Sequence, residues 1–297
     1  MGQILEINGL TKAYKDVTSI YQMSFTLKEN KIYGLLGRNG AGKTTLMHMI
    51  TAQLFPTCGD VKVFGEEPYE NTRVLQQICF IKESQAYPEY FQISDVFATA
   101  KSIYPNWNDG LANQLTQDFQ LPLNRRIKEL SRGMLSSVGI VVGLASRAPL
   151  TIFDEPYLGL DAVARGIFYD RLIEDYAEYP RTVILSTHLI DEVSQLLEHV
   201  LIIERGELLF YEDAESLRSR IYSVSGSSEV VETYMKGKEV IHVEKIGSLV
   251  TVTLLGKKEE NNKKQAESLG LEYVPISLQK FVVDLTTKSR EKVVKGQ

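Results

Sequence analysis

Gly37-Arg38-Asn39-Gly40-Ala41-Gly42-Lys43-Thr44 is the stretch on which the reading of this chain turns. It fits G-x-x-x-x-G-K-[ST], and its surroundings are those the pattern requires. Lys31-Ile32-Tyr33-Gly34-Leu35-Leu36, apolar after its first residue, leads into it and predicts a buried strand. Thr45 to Leu54 follows with helical spacing. In such a turn the glycines let the backbone wrap closely round phosphate groups. The loop N–H groups and the helix N-terminus then face negative charge. Lys43 supplies a point charge for outer phosphates, and Thr44 offers a hydroxyl to Mg²⁺.

A second stretch points to the same chemistry. Leu150-Thr151-Ile152-Phe153-Asp154-Glu155 is an apolar strand ending in two carboxylates, about 110 residues after the loop. Alone, an Asp-Glu pair before Pro156 reads equally well as a solvated turn. Beside a phosphate loop, Asp154 is expected to hold Mg²⁺, directly or through water. Glu155 is expected to orient and polarise an attacking water.

Outward from these two stretches, short strands alternate with helical segments. Ile4 to Ile7 and Ser24 to Leu27 alternate apolar with polar, and Ile78 to Ile81, Leu150 to Phe153 and Val183 to Leu185 are short apolar runs. Residues 93–148 are mostly helical in pattern, with breaks at Pro105 and Pro122. This order predicts an α/β fold around a parallel sheet. The pattern changes at Ser219 to Ser228, which is rich in Ser and Gly. Beyond it come the alternating pair Glu239 to Glu244 and Ser248 to Leu255, then a charged helix from about Glu259 to Leu269. A short strand and an amphipathic helix over Leu278 to Thr286 follow. Residues 225–297 therefore read as a small α+β appendage on a domain spanning residues 1–218. The 297 residues suit one large domain and one small one.

Composition narrows the class. Hydrophobic residues make up 43% and charged residues 24%, an ordinary balance for a globular chain. The net charge of −5 gives no overall basic character of the kind nucleic-acid binders show, so no nucleic-acid partner is expected. Two cysteines, Cys58 and Cys79, are too few for a disulfide framework and favour a reducing compartment. The N-terminus does not read as a secretory signal, and no apolar stretch reaches about 18 residues.

Five elements in order resemble ABC-type ATPases. They are the phosphate loop, Leu130-Ser131-Arg132-Gly133-Met134, Phe153-Asp154-Glu155-Pro156, Gly159-Leu160-Asp161 and Ser186-Thr187-His188. The second is similar to the family's L-S-G-G-Q signature, the fourth to its D-loop and the last to its switch histidine. The resemblance covers residues 1 to about 215. It implies a P-loop NTPase fold with an ABC-type helical subdomain at about residues 84–135. It also implies ATP and Mg²⁺ as cofactors, with nucleotide contacts from Gly37, Asn39, Gly40, Ala41, Gly42, Lys43, Thr44 and Thr45. Tyr14 stands at the family's adenine-stacking position, and His188 would join Glu155 as a catalytic residue, contacting the γ-phosphate and the attacking water. Two such domains would bind two ATPs head to tail, with the signature residues Ser131 and Gly133 serving the opposite site and Asp161 of the D-loop a further nucleotide contact. A homodimer or a heterodimer with another ABC ATPase would meet that need. A transmembrane permease on a separate chain is implied too, which puts the protein in the cytoplasm, peripheral on the inner face of the membrane.

Within the family the chain looks like ATPases of bacterial ABC-2-type exporters, on the segments Ile103 to Trp107 and Leu144 to Leu150. This is the acetoin-linked and amphipathic-peptide-toxin subgroup, and it implies a peptide, toxin or antimicrobial cargo. A soluble ABC ATPase acting on ribosome or DNA, or an importer motor, is the alternative. Several positions depart from the pattern. Glu83 stands where the family has the Q-loop glutamine, and is a candidate third Mg²⁺ contact. Arg132 replaces the first signature glycine, Met134 the signature glutamine, and Tyr157 the small hydroxyl residue that usually follows the proline.

Overall fold

The computed structural model describes residues 2–83, 85–257 and 261–294, with side chains to residue 287. Its central feature is a six-stranded sheet in the order β5 (Ile78–Ile81), β6 (Leu150–Asp154), β7 (Thr182–Thr187), β3 (Ile32–Leu36), β8 (His199–Glu204), β9 (Glu207–Asp213). Neighbours are parallel from β5 to β8, and β9 closes the edge as an antiparallel hairpin on β8. Every residue of β3, β6 and β7 is buried. Strands covered on both faces favour apolar runs over alternation, and Ile32–Leu36, Ile152–Phe153 and Val183–Leu185 supply them, while the buried polar residues of β6 and β7 include Asp154, Ser186 and Thr187 at the ends nearest the phosphate loop.

A second, antiparallel sheet lies over the first. Its order is β2 (Val17–Lys28), β1 (Gln3–Tyr14), β4 (Cys58–Val63). Between the sheets sits α1 (Lys43–Ile50), whose Leu46, Met47, Met49 and Ile50 share one apolar cluster with residues of both. The opposite side of the main sheet packs against α5 (Arg132–Ala145) and α6 (Ala162–Glu178). The helical region adds α2 (Thr72–Leu75), α3 (Ile93–Ile103), α4 (Asp109–Asp118) and a single 3-10 turn at Ile127–Glu129. Ser84, the first residue of the expected helical subdomain, lies outside the described residues. Short helices α7 (Ile190–Val193) and α8 (Ala214–Arg220) follow β7 and β9.

The C-terminal part has its own four-stranded sheet. The chain order is β10 (Ile221–Ser227), α9 (Ser228–Tyr234), β11 (Glu239–Ile246), β12 (Leu249–Leu255), α10 (Asn262–Ser268), β13 (Glu272–Pro275), α11 (Leu278–Val294). The strand order is β11-β12-β10-β13, and each neighbouring pair is antiparallel. This is the split βαβ arrangement of ferredoxin-like units. The Ser/Gly-rich segment ends α8 and supplies β10, one of the two inner strands. Strand pairing uses its backbone, and its small side chains fit between the layers; a Cβ on Gly226 would come within 2.5 Å of the Leu271 side chain. One face of the sheet packs on α9 and α10 through Tyr222, Val224, Val252 and Leu254. On the other side, Ile221, Ile241 and Leu255 join Leu278, Phe281 and Val282 of α11. These sit in the same cluster as Ile190 and Val193 of α7 and Val200 and Ile202 of β8. The unit therefore shares a core with the strand end that carries His188.

Candidate active site

The phosphate loop leaves β3 and enters α1 through three glycines with positive φ: Gly37, Gly40 and Gly42. At Gly37 a Cβ would lie 2.2 Å from the Ile203 carbonyl oxygen, so the glycine is required by contact as well as conformation. The β8–β9 turn clamps the loop from outside, with Gly206 N–H donating to the Ala41 carbonyl at 2.8 Å and Tyr21 N–H donating to the Gly206 carbonyl at 2.9 Å. Lys43 Nζ donates to the carbonyls of Gly37 (2.7 Å) and Arg38 (3.2 Å). Burial lowers the Lys43 pKa, and the nearby Glu155, Asp154 and Glu204 carboxylates oppose that shift.

The end of β6 meets this loop. Thr44 Oγ1 donates to Asp154 Oδ2 at 2.8 Å, and both Asp154 and Glu155 are buried. Glu155 has φ of 50°, and its N–H donates to the Ser186 carbonyl of β7 at 3.1 Å. That turn places its side chain beside His188, whose Nδ1 lies 2.7 Å from Glu155 Oε2. With a carboxylate as partner, Nδ1 is the protonated ring nitrogen. The Tyr157 hydroxyl donates to the same Oε2.

These residues surround one cleft of about 450 Å³. It is lined by Asn39, Gly40, Ala41, Gly42, Lys43, Thr44 and Thr45 on the loop side and by Asp154, Glu155, Leu158 and His188 opposite, with Ser19 and Glu83 at its margins. Ser19 Oγ and Thr45 Oγ1 are 2.9 Å apart. Glu83 is half exposed, and its Oε1 accepts from Arg132 Nη2 at 2.8 Å. These two of the four departures from the family pattern therefore pair their opposite charges.

Other expected site residues lie elsewhere. Tyr14 is not among the residues lining the cleft. It is 47% exposed on the β1–β2 hairpin, with Lys12 Nζ 5.0 Å from its ring centroid. Ser131 caps α5 by accepting from Met134 N–H at 3.2 Å. A Cβ on Gly133 would sit 2.5 Å from the Gly159 carbonyl, so this glycine is needed where α5 crosses the D-loop segment. Asp161 caps α6 by accepting from Ala164 N–H at 2.8 Å. Sequence reasoning missed Ser19, Leu158 and Thr187 in and around the cleft. Ser19 and Thr187 are each a hydroxyl in a strand, and only the fold makes such a residue a neighbour of the site.

A family model described as ABC transporter matches residues 20–158. The bacitracin transport ATP-binding protein BcrA of Bacillus licheniformis is 34% identical over 214 residues, covering 70% of this chain and 69% of that protein. The chain belongs to the ABC transporter ATP-binding family. As an ABC ATPase it has a longer match to the ABC transporter ATP-binding protein YtrB of Bacillus subtilis, 24% identical over 261 residues, or 88% of this chain and 89% of that one. A match of that length runs past Arg220 into the C-terminal sheet. Among solved structures, a dimeric post-hydrolysis state of the ATP-binding cassette MJ0796 bound to ADP and Pi aligns with a TM-score of 0.63. It is 22% identical and covers 71% of this chain and 99% of that one. The ABC ATPase fold thus accounts for the two sheets and the helical region around the cleft. Among the described residues, no helix is long and apolar enough to cross a membrane.

Proposed function

We propose that this ABC ATPase is the motor subunit of a bacterial exporter, working in head-to-tail pairs around two ATPs on the cytoplasmic face of a membrane permease. The observation that carries the hydrolytic part is the convergence of Lys43, Thr44, Asp154, Glu155 and His188 on one cleft. Residues 1–218 hold these groups, and the unit from about Ile221 onward is proposed to modulate turnover through the core it shares with α7.

The donors present suit Mg²⁺. The Thr44 hydroxyl and the Asp154 carboxylate are hard oxygen ligands 2.8 Å apart. Among the described residues there is no cluster of three or more His, Cys, Asp or Glu that would build an all-protein metal cage. Mg²⁺ prefers one or two protein ligands completed by phosphates and water. When bound, it would neutralise charge on the outer phosphates. Lys43 and the loop N–H groups would hold the phosphates, Glu155 would take a proton from the attacking water, and His188 would contact the γ-phosphate through Nε2.

Ser131 and Gly133 do not line the cleft of their own chain. A second copy presenting them would complete the site, as the dimer named for the MJ0796 cassette suggests. Support for the membrane partner comes from an apolar groove of about 370 Å³ between β5 and α3, lined by Phe80, Tyr87, Phe91, Ile103 and Tyr104 among others. The buried Tyr87 hydroxyl there has no hydrogen-bond partner among the described residues. A helix end from a permease would cover the groove and satisfy that hydroxyl. The name of BcrA supports antibiotic or peptide cargo. Affinity purification of the full chain from detergent-solubilised membranes tests the reading. A hydrophobic multi-spanning chain should co-purify. Ribosomes or DNA in its place would support the soluble alternative and overturn the exporter.

A further inference from the structure

We infer that Tyr157 is a positioning residue for Glu155, orienting the base through its hydroxyl. The inference rests on the proposed role of Glu155 and extends it to a side chain that a small hydroxyl residue could not imitate. Tyr157 is 3% exposed and two residues beyond Glu155, yet its hydroxyl reaches across to the end of β7. It donates its one proton to Glu155 Oε2. It accepts from His188 N–H at 3.1 Å and lies 2.6 Å from Thr187 Oγ1. Thr187 Oγ1 in turn accepts from Leu189 N–H at 2.9 Å, which leaves the threonine proton for the tyrosine oxygen. Every donor and acceptor of the Tyr157 and Thr187 hydroxyls is thereby matched, the condition under which a polar network holds a unique geometry.

The arrangement has a directional consequence. Glu155 Oε2 receives both the Tyr157 hydroxyl and His188 Nδ1 (2.7 Å). The second carboxylate oxygen is left for a water in the cleft that Glu155 lines. The Glu155 backbone is held by its N–H bond to the Ser186 carbonyl, and its side chain by the bonds from Tyr157 and His188. A serine or threonine at position 157 would be too short to span from β6 to Thr187. The tyrosine thus ties the base and the switch histidine into one body.

Tyr157→Phe keeps the ring and removes only the hydroxyl. Single-turnover hydrolysis of ATP by the full chain should slow by about 10–100-fold, the loss expected when one hydrogen bond to a charged group disappears. The ATP concentration for half-maximal rate should stay within about twofold, because the phosphate contacts are elsewhere. In a Glu155→Gln background the same change should add little, since the carboxylate it acts on is gone. Three outcomes overturn the inference: a wild-type rate in Tyr157→Phe, an equal slowing in both backgrounds, or a slowing confined to ATP affinity. If Glu155→Gln itself hydrolyses normally, the reading of Glu155 as base fails and the Tyr157 role falls with it. If only Tyr157→Phe is normal, the base stands and its positioning lies elsewhere. Should the phenylalanine variant melt well below wild type, Thr187→Val, which removes a different bond of the network, must slow hydrolysis in the same direction for the inference to survive.

Discussion

Thr44 and Asp154, 110 residues apart in sequence, are joined by a hydrogen bond of 2.8 Å at the junction of α1 and β6. The bond brings the hydroxyl and the carboxylate to the spacing at which both could contact one small cation. Asp154→Asn keeps the shape and removes the charge. It should leave Mg²⁺-free nucleotide binding nearly intact and abolish most of the gain that Mg²⁺ brings. Calorimetric titrations of ATP with and without Mg²⁺ would read this directly, and an unchanged gain would take Asp154 out of the cation site.

Gly133 and Gly166 make a matched pair of tests. Both lie inside helices, but a Cβ at Gly133 meets the Gly159 carbonyl at 2.5 Å while Gly166 has open space around it. Alanine at Gly166 should stabilise the protein by about 0.5–1 kcal/mol through helix propensity. Alanine at Gly133 should destabilise it by about 1–3 kcal/mol, because backbone must move. Opposite shifts in thermal midpoint are expected; shifts of the same sign would refute the packing account of the signature glycine.

The Arg132–Glu83 pair is exposed, with side chains 65% and 49% accessible, so its contribution to stability should stay below about 1 kcal/mol. Its expected effect is on the cleft. Arg132→Gln frees a carboxylate near the phosphates and should weaken ATP binding severalfold. Adding Glu83→Gln should restore it. A double variant as weak as the single one would show that Arg132 acts on nucleotide independently of Glu83. Separately, a Mg²⁺ titration of Glu83→Gln that overlays wild type would exclude Glu83 as a cation contact.

The C-terminal unit yields a fourth prediction. Asp191, three residues beyond His188, accepts from Gln279 N–H at 3.3 Å and from Ser277 Oγ at 3.2 Å at the start of α11. Because Phe281 and Val282 share a core with α7 and β8, deleting residues 221–297 should expose apolar surface and give aggregated protein. Asp191→Ala should keep the fold, lower stability by about 0.5–2 kcal/mol as for a lost cap, and alter turnover. A soluble, fully active truncation on sedimentation and ATPase assay would show the unit to be separable and without influence on hydrolysis.

Strands β3, β6 and β7 are legible in the sequence because complete burial favours the short apolar runs at their centres. The phosphate loop is legible because its glycines and Lys43 answer to backbone geometry and charge at fixed spacing. The antiparallel pairing of β1, β2 and β4 and of β8 with β9 is not legible, since strand partners are set by packing rather than local pattern. The Ser/Gly-rich segment marks a change of pattern but does not read as a strand, because small residues in an inner strand carry no apolar signal of their own. At the site, Asp154, Glu155 and His188 could be placed by order. The contact of Tyr157 with Thr187 could not, since it crosses 30 residues between two strand ends.

The clamp of Gly206 on Ala41 has a thermodynamic consequence. It fixes the ligand-binding loop with backbone from a hairpin more than 160 residues further along the chain, so the loop's conformational entropy is lost when the protein folds rather than when ATP arrives. The same linkage runs in reverse. Any nucleotide that binds only the folded loop must hold the β8–β9 hairpin in place, and at about 100 times its dissociation constant it adds about 2.7 kcal/mol to the stability of the whole cassette. ATP would then serve the chain as a folding ligand before it serves as fuel, and an emptied subunit would be the form most exposed to proteolysis.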